Sequence, residues 1–456
     1  MKKLTSRRAL LKAMSAQGGL WTTRSFATGL PMGVLLGAIP SDEAIAATID
    51  HPQYLMMALS HFGEPINNNC PGVYDTGLDG VHHNTQPSMV AQNVELGSGT
   101  YRAAKPWADL QKSVPWAMDR MSFIHHDTRT NIHAQYSGVM KLMGSSRGPN
   151  SETNSPEFLP SILSAALQPI HQTIQAPPLY LGGPEVDFEG QAIGQINPSS
   201  MKTLFPSFNN RDQLIREMRD ADLMALNEQL KKTGTRKQKA WLDDQVQSLV
   251  EVRKLNEELI AKFSEVKYED KNLGLIDASI IAFKLNMTSV VTLNLNFGGD
   301  NHIDPGLLDE ANGTVQSCKE MVHMFESLKT HGMEDKVTFA ACGVFGRTLR
   351  KVKNGDGRDH NLHHHVTVLA GKNVKSGVIG GLREFGGDFG AMPINSTTGA
   401  GDMNGDIPLD ESLESVAKTI GAACGLKPYA MNRRIKRAGA DGDSNVGKII
   451  TAAIVS

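Results

Sequence analysis

Two short clusters carry residue types that bind divalent cations. Asp300 and His302 sit in Gly298-Gly299-Asp300-Asn301-His302, and Asp359 and His360 sit in Gly357-Arg358-Asp359-His360, with His363, His364 and His365 just beyond. Deprotonated carboxylates and neutral imidazoles are the donors such a cation takes. A Gly ahead of Asp300 lets the backbone turn sharply and approach a ligand closely. An isolated Asp/His pair is common in turns, but here two pairs each follow an apolar, β-branched run. Those runs are Val290-Val291-Thr292-Leu293 and Val337-Thr338-Phe339-Ala340-Ala341-Cys342. Both clusters are therefore expected at strand exits, the edge where open α/β sheets bind ligands.

The elements that must hold these clusters read as alternating strands and helices. Further strands are expected at Tyr54-Leu55-Met56-Met57-Ala58-Leu59, at Met121-Ser122-Phe123-Ile124 and at Leu179-Tyr180-Leu181. The second leads into His125, His126 and, a little later, His133, candidates for a substrate loop or a further ligand. Helices are expected over 277–285, 315–328 and 413–425, the last stopped by Gly425. This alternation predicts an α/β fold with a mostly parallel sheet sandwiched by helices. Between 211 and 266 charged residues dominate and apolar ones recur at helical spacing, which predicts an inserted helical hairpin. It would cover the sheet as a lid or offer a surface to a protein partner. Residues 386–405, rich in Gly and Asp, read as a long surface loop.

Composition narrows the function. The chain has 456 residues, 40% hydrophobic and 21% charged, with a formal net charge of -2. It can bury a large core, and no global field advertises nucleic acid or a membrane surface. Only 7 Tyr and 4 Trp argue against an aromatic carbohydrate platform. Cys70, Cys318, Cys342 and Cys424 form no C-x-x-C pair, which excludes a zinc ribbon or thioredoxin-type motif. Neither a phosphate-binding G-x-x-x-x-G-K-[ST] loop nor a G-x-S-x-G elbow occurs. Ser6-Arg7-Arg8-Ala9-Leu10-Leu11-Lys12, an apolar stretch over 26–39 and Ala44-Ile45-Ala46 follow one another as a twin-arginine export signal does. Residues 1–47 are therefore expected to be removed, leaving 48–456 as one periplasmic or secreted domain. The stretch is too short and too interrupted by Gly29, Pro31 and Gly33 for a membrane span.

Phe345-Gly346-Arg347-Thr348 and Gly357-Arg358-Asp359-His360, preceded by Gly299-Asp300-Asn301-His302, resemble the motifs of a sulfatase-like family. Its members are twin-arginine-exported bacterial proteins of the alkaline-phosphatase superfamily. The likeness is tight over 298–381 and loose elsewhere. It implies an alkaline-phosphatase-like fold and a metal-dependent hydrolase of phosphate or sulfate esters, acting on a small anionic ester or a polysaccharide. Asp300, His302, Asp359 and His360 would hold one or two ions, with His364 or His365 as a further ligand and Asp304 as a substitute in the first set. Zinc is the first expectation, with manganese, calcium or magnesium as alternatives. Arg347 and Arg358 would clamp the anionic group, as guanidinium does bidentately. Cys70 stands as the candidate nucleophile, although Cys70-Pro71-Gly72-Val73-Tyr74 does not match the sulfatase Cys-x-Pro-x-Arg. Two departures point to an alternative, a catalytically degenerate binding or assembly protein. Val344 replaces the Glu usual before Phe-Gly-Arg-Thr, and Asn69 stands where an Asp is expected.

Overall fold

A computed structural model describes residues 54–136, 158–167, 178–188, 191–196, 210–236, 271–284, 286–353, 355–435 and 447–455, with a few positions besides. The expected export segment lies outside these residues, as does most of the second arm of the expected hairpin. The first arm is a helix, Asn210–Thr233. Met218, Leu226 and Leu230 on it are exposed.

Among the described residues seven strands form the central sheet: β1 (Tyr54–Ser60), β2 (Met121–His126), β3 (Leu179–Tyr180), β4 (Val290–Leu293), β5 (Val337–Gly343), β6 (His365–Ala370) and β7 (Gly377–Ile379). Their order is β7-β2-β6-β5-β1-β4-β3. Pairing is parallel except on both sides of β6, which runs against β2 and β5. Ser60 pairs with Gly343 and His365 with His126, so one edge gathers the ends of β1, β2 and β5 and the start of β6.

Strand β1 shows why its sequence reads as an unbroken apolar run: all seven residues are buried. Tyr54, Met56 and Ala58 face one core, and Leu55, Met57 and Leu59 face the other. A strand covered on both faces needs apolar residues at every position. Helices Lys105–Ser113, Lys271–Lys284 and Leu308–Thr330 contribute Trp107, Phe283 and Phe325 to the first core. Helices Leu159–Leu167 and Ser412–Ala423 contribute Leu163 and Ile420 to the second. The fold is thus mixed α/β, with a large, mostly parallel sheet flanked by helices. Gly425 ends the last of these helices with φ of 80°, the left-handed stop glycine allows.

The expected loop over 386–405 is corrected. Leu382–Phe385 and Asp388–Ala391 pair as a hairpin, and Ile394 and Ile407 are buried. Gly386 and Gly387, with φ of 62° and 86°, supply the two positive dihedrals of a tight hairpin turn. Glycine content alone looked like a loop; the Gly-Gly pair between alternating residues was the turn signal. Among the described residues no helix is long and apolar enough to cross a membrane.

Candidate metal centre

Four side chains from three loops converge at the edge where β2, β4 and β5 end. His133 lies on the loop after β2, Asp300 and His302 on the loop after β4, and His360 on the loop between β5 and β6. One ligand atom from each lies within 4.8 Å of all the others. His302 Nε2 is 2.8 Å from His360 Nε2 and 3.3 Å from Asp300 Oδ1. His133 Nε2 lies 3.5 Å from Asp300 Oδ2, and no hydrogen bond satisfies that nitrogen.

The outer ring nitrogens settle what the inner ones can do. His133 Nδ1 donates to the His61 carbonyl at 2.7 Å, and His360 Nδ1 donates to the Asn131 carbonyl. His302 Nδ1 donates to Asp359 Oδ1 at 3.0 Å. A ring that donates through Nδ1 turns Nε2 inward, where it serves as a ligand once it carries no proton. Burial holds His360 low, at about 4, so it is uncharged at neutral pH. Partial burial pushes the Asp300 carboxyl up, but the hydrogen bond and charge of Arg347, with His133 and His302, outweigh it and its pKa falls below the usual range. Three inward ring nitrogens and a carboxylate therefore face one another, an arrangement that a bound cation would complete. A tetrahedral ion with ligands at ~2.0–2.2 Å separates its donors by about 3.4 Å, close to the spacings here. The three-nitrogen, one-oxygen set could hold a divalent cation.

The remaining expected site residues fall elsewhere. Asp359 stands one shell out, behind His302. Asp304 caps a helix, accepting the Asp309 and Glu310 N–H groups at 2.8 and 3.0 Å. His364 does not join the cluster. It is buried, with Nε2 2.9 Å from His125 Nδ1 and Nδ1 3.2 Å from Asn67 Nδ2. His365 accepts the Gly343 N–H at 3.0 Å.

The two arginines expected to clamp the substrate have their donors taken up by the protein itself. Arg347 is buried; it donates to the Gly63 carbonyl at 2.6 Å, to the Phe62 carbonyl and to Asp300 at 2.7 Å. Arg358 is buried against Glu310 and also donates to the Thr348 and His82 carbonyls. Cys70, the expected nucleophile, is fully buried, and burial pushes its thiol far up. All four cysteines are free and buried. Asn69 holds the core together, bonding Pro65, Thr314 and the Trp107 indole.

Glu64 escaped the sequence reading. Its carboxylate is buried, accepts the Phe297 and Gly299 N–H groups at 2.8 and 3.0 Å, and so pins the turn that carries Asp300. The signal was an acid four residues past the end of β1, at the same sheet edge.

The family model described as "Protein of unknown function (DUF1501)" matches residues 138–407. No curated protein matches the chain. The lipoteichoic acid synthase LtaP from Listeria monocytogenes is 7% identical, with a TM-score of 0.36 over 91% of this chain and 81% of that one. Ps i-CgsB, solved with k-i-k-neocarrahexaose, is 11% identical, with a TM-score of 0.32 over 82% and 72%. A Bacteroides thetaiotaomicron protein, described under the metabolism of multiple glycosaminoglycans, is 10% identical, with a TM-score of 0.34 over 82% and 74%. Likeness at this level carries no argument about chemistry.

Proposed function

The chain belongs to the family described as "Protein of unknown function (DUF1501)", so its chemistry has to be read from its own site, and we propose that it is an exported, metal-dependent hydrolase of phosphate or sulfate esters. The observation that carries this reading is the inward-facing set of His133, His302, His360 and Asp300 at the strand-exit edge. A bound divalent ion would supply Lewis acidity toward an ester oxygen. The chain's own residues do the rest. The His61 and Asn131 carbonyls and Asp359 hold the rings in one tautomer. Arg347 keeps Asp300 anionic and fixed. Export is supported by Arg7 and Arg8 in their Ser-Arg-Arg-x-Leu-Leu-Lys setting; replacing both with Lys is expected to leave precursor inside the cell.

A second reading has one observation behind it. Val344 and Asn69, where the resembled family carries acids, are buried. Such a site could hold one ion without turning over substrate, in a binding or assembly protein. One experiment separates the two. Metal content is measured on protein purified without added metal, followed by a panel of phosphate and sulfate esters with zinc, manganese, magnesium or calcium. Turnover that needs the metal and is lost in His302→Ala supports the hydrolase. Bound metal without turnover supports the binding protein, and absence of metal overturns both.

A further inference from the structure

Large apolar side chains exposed on a protein surface are usually scattered and need no explanation. Here three of them each stand one residue from a group of the site. Phe62 is 37% exposed and follows His61, whose carbonyl holds His133. Ile132 is 50% exposed and lies between Asn131, whose carbonyl holds His360, and His133 itself. Ile303 is 83% exposed and follows His302. Consecutive Cα atoms are about 3.8 Å apart, so each apolar side chain leaves the backbone beside a residue turned into the cluster. Three separate loops that supply the cluster or its supports thus each carry an exposed apolar residue beside it in sequence.

The charges around the mouth point the same way. A sugar chain studded with anionic groups calls for cations beside the reacting one. Arg347 and Arg358 have their donors spent inside the protein. The exposed charges at the mouth are instead the Asp300 and Asp359 carboxylates, whose side chains are 42% and 59% exposed.

Resting on the hydrolase reading, we propose that the substrate is an ester with an apolar aryl or alkyl group next to its anionic head, and that Phe62, Ile132 and Ile303 determine this specificity. The anionic head meets the His/Asp cluster, and the apolar group covers the three side chains. Their removal from water supplies the discrimination, about tenfold or more for a phenyl over a methyl group.

Two non-hydrolysable probes test this on the full-length processed protein as purified: phenylphosphonate and methylphosphonate, titrated by calorimetry with and without chelator. Phenylphosphonate is expected to bind about tenfold or more tighter. Ile303→Ser and Ile132→Ser should erase most of that preference while keeping methylphosphonate affinity. In turnover, the same variants should raise KM for phenyl phosphate more than they lower kcat. Equal affinity for the two phosphonates, no binding of either, or a preference that survives both substitutions overturns the proposal. Its failure is distinguishable from that of the hydrolase reading. Phosphonate discrimination without any turnover would sink the hydrolase alone, and turnover without discrimination would sink the apolar rim alone.

Discussion

Two groups of histidines lie at the same sheet edge and differ in how their ring nitrogens are satisfied. The inner group is His125, His126, His364 and His365, all buried. His364 Nε2 meets His125 Nδ1, His125 Nε2 meets the Pro71 carbonyl at 3.1 Å, and His126 Nε2 meets Thr367 Oγ1 at 2.9 Å. There donors meet acceptors, and His365 Nδ1 alone lacks a partner. In the outer group of His133, His302 and His360 the outward nitrogens are all satisfied and the inward ones face each other. In the inner arrangement every ring nitrogen but His365 Nδ1 has a partner within the protein. The outer one turns three nitrogens and the Asp300 carboxylate toward one point, as the ligands of a cation would be. Residue type does not separate them; the direction of the hydrogen bonds does.

The sharpest way to break this comparison is to remove an inward nitrogen. His302→Ala is expected to lower metal affinity by about a thousandfold or more, read by metal content after dialysis, with little change in the melting temperature of the chelator-treated protein. A variant that keeps its metal would mean the outer cluster is only a hydrogen-bonded surface patch. The inner group should respond in the opposite sense. His364→Ala strands Asn67 and His125 and opens a cavity, at a cost of about 3 kcal/mol of stability. Metal stoichiometry should not change. Loss of metal in that variant, with the fold intact by circular dichroism, would erase the distinction between the groups.

Acid sharpens the same contrast. Burial lowers His125 and His126 from 6.5 to about 4, and lowers His364 and His365 as well. Below pH 6.5 the unfolded chain therefore binds protons that the folded chain refuses, and stability falls as pH falls toward 4. Buried Glu64, Asp127 and Asp388 have raised pKa values and oppose this, since they take up protons more readily when folded. With more histidines than raised carboxyls, the net slope should stay positive between pH 5 and pH 7, the window in which unfolded histidines titrate near 6.5. Urea denaturation of the chelator-treated protein across that range measures it. His364→Ala should flatten the slope, and an unchanged slope would show that the inner histidines do not set it.

Much of the site could be read from residue types placed at strand exits. Asp300, His302 and His360 do meet, because β4 and β5 run parallel and release their loops at one edge. His364 could not be placed, because it precedes β6, the one reversed strand, and reversal leaves no mark in an apolar run such as Val366-Thr367-Val368-Leu369. The arginines were misread for a related reason. Their partners are distant in sequence: Arg347 reaches Phe62 and Gly63, and Arg358 reaches Glu310. A guanidinium's type shows that it will hold an anion or a carbonyl, but not whether the partner belongs to a substrate or to the chain. The two cores were legible from the apolar strands. The hairpin at Gly386–Gly387 was missed because composition was weighed over turn chemistry.

The smallest expected effect falls on Asp359, which touches the cluster only through His302. Its Oδ1 accepts the His302 Nδ1–H at 3.0 Å and so keeps Nε2 free for the cation. Asp359→Asn retains an oxygen that can accept this bond, so the ring orientation should survive. What is lost is the negative charge that raises the basicity of the ring. Substitution of such partners commonly weakens a metal by about 10–100-fold. The exposure of the Asp359 side chain, 59%, brings water close enough to screen the charge, which places the expectation at the lower end. Competition with a fluorescent zinc chelator would read about a tenfold loss for Asp359→Asn and a larger one for Asp359→Ala, whose ring is no longer held. A thousandfold loss in Asp359→Asn would instead make Asp359 a direct ligand, as the sequence first suggests, and would enlarge the outer cluster by one carboxylate.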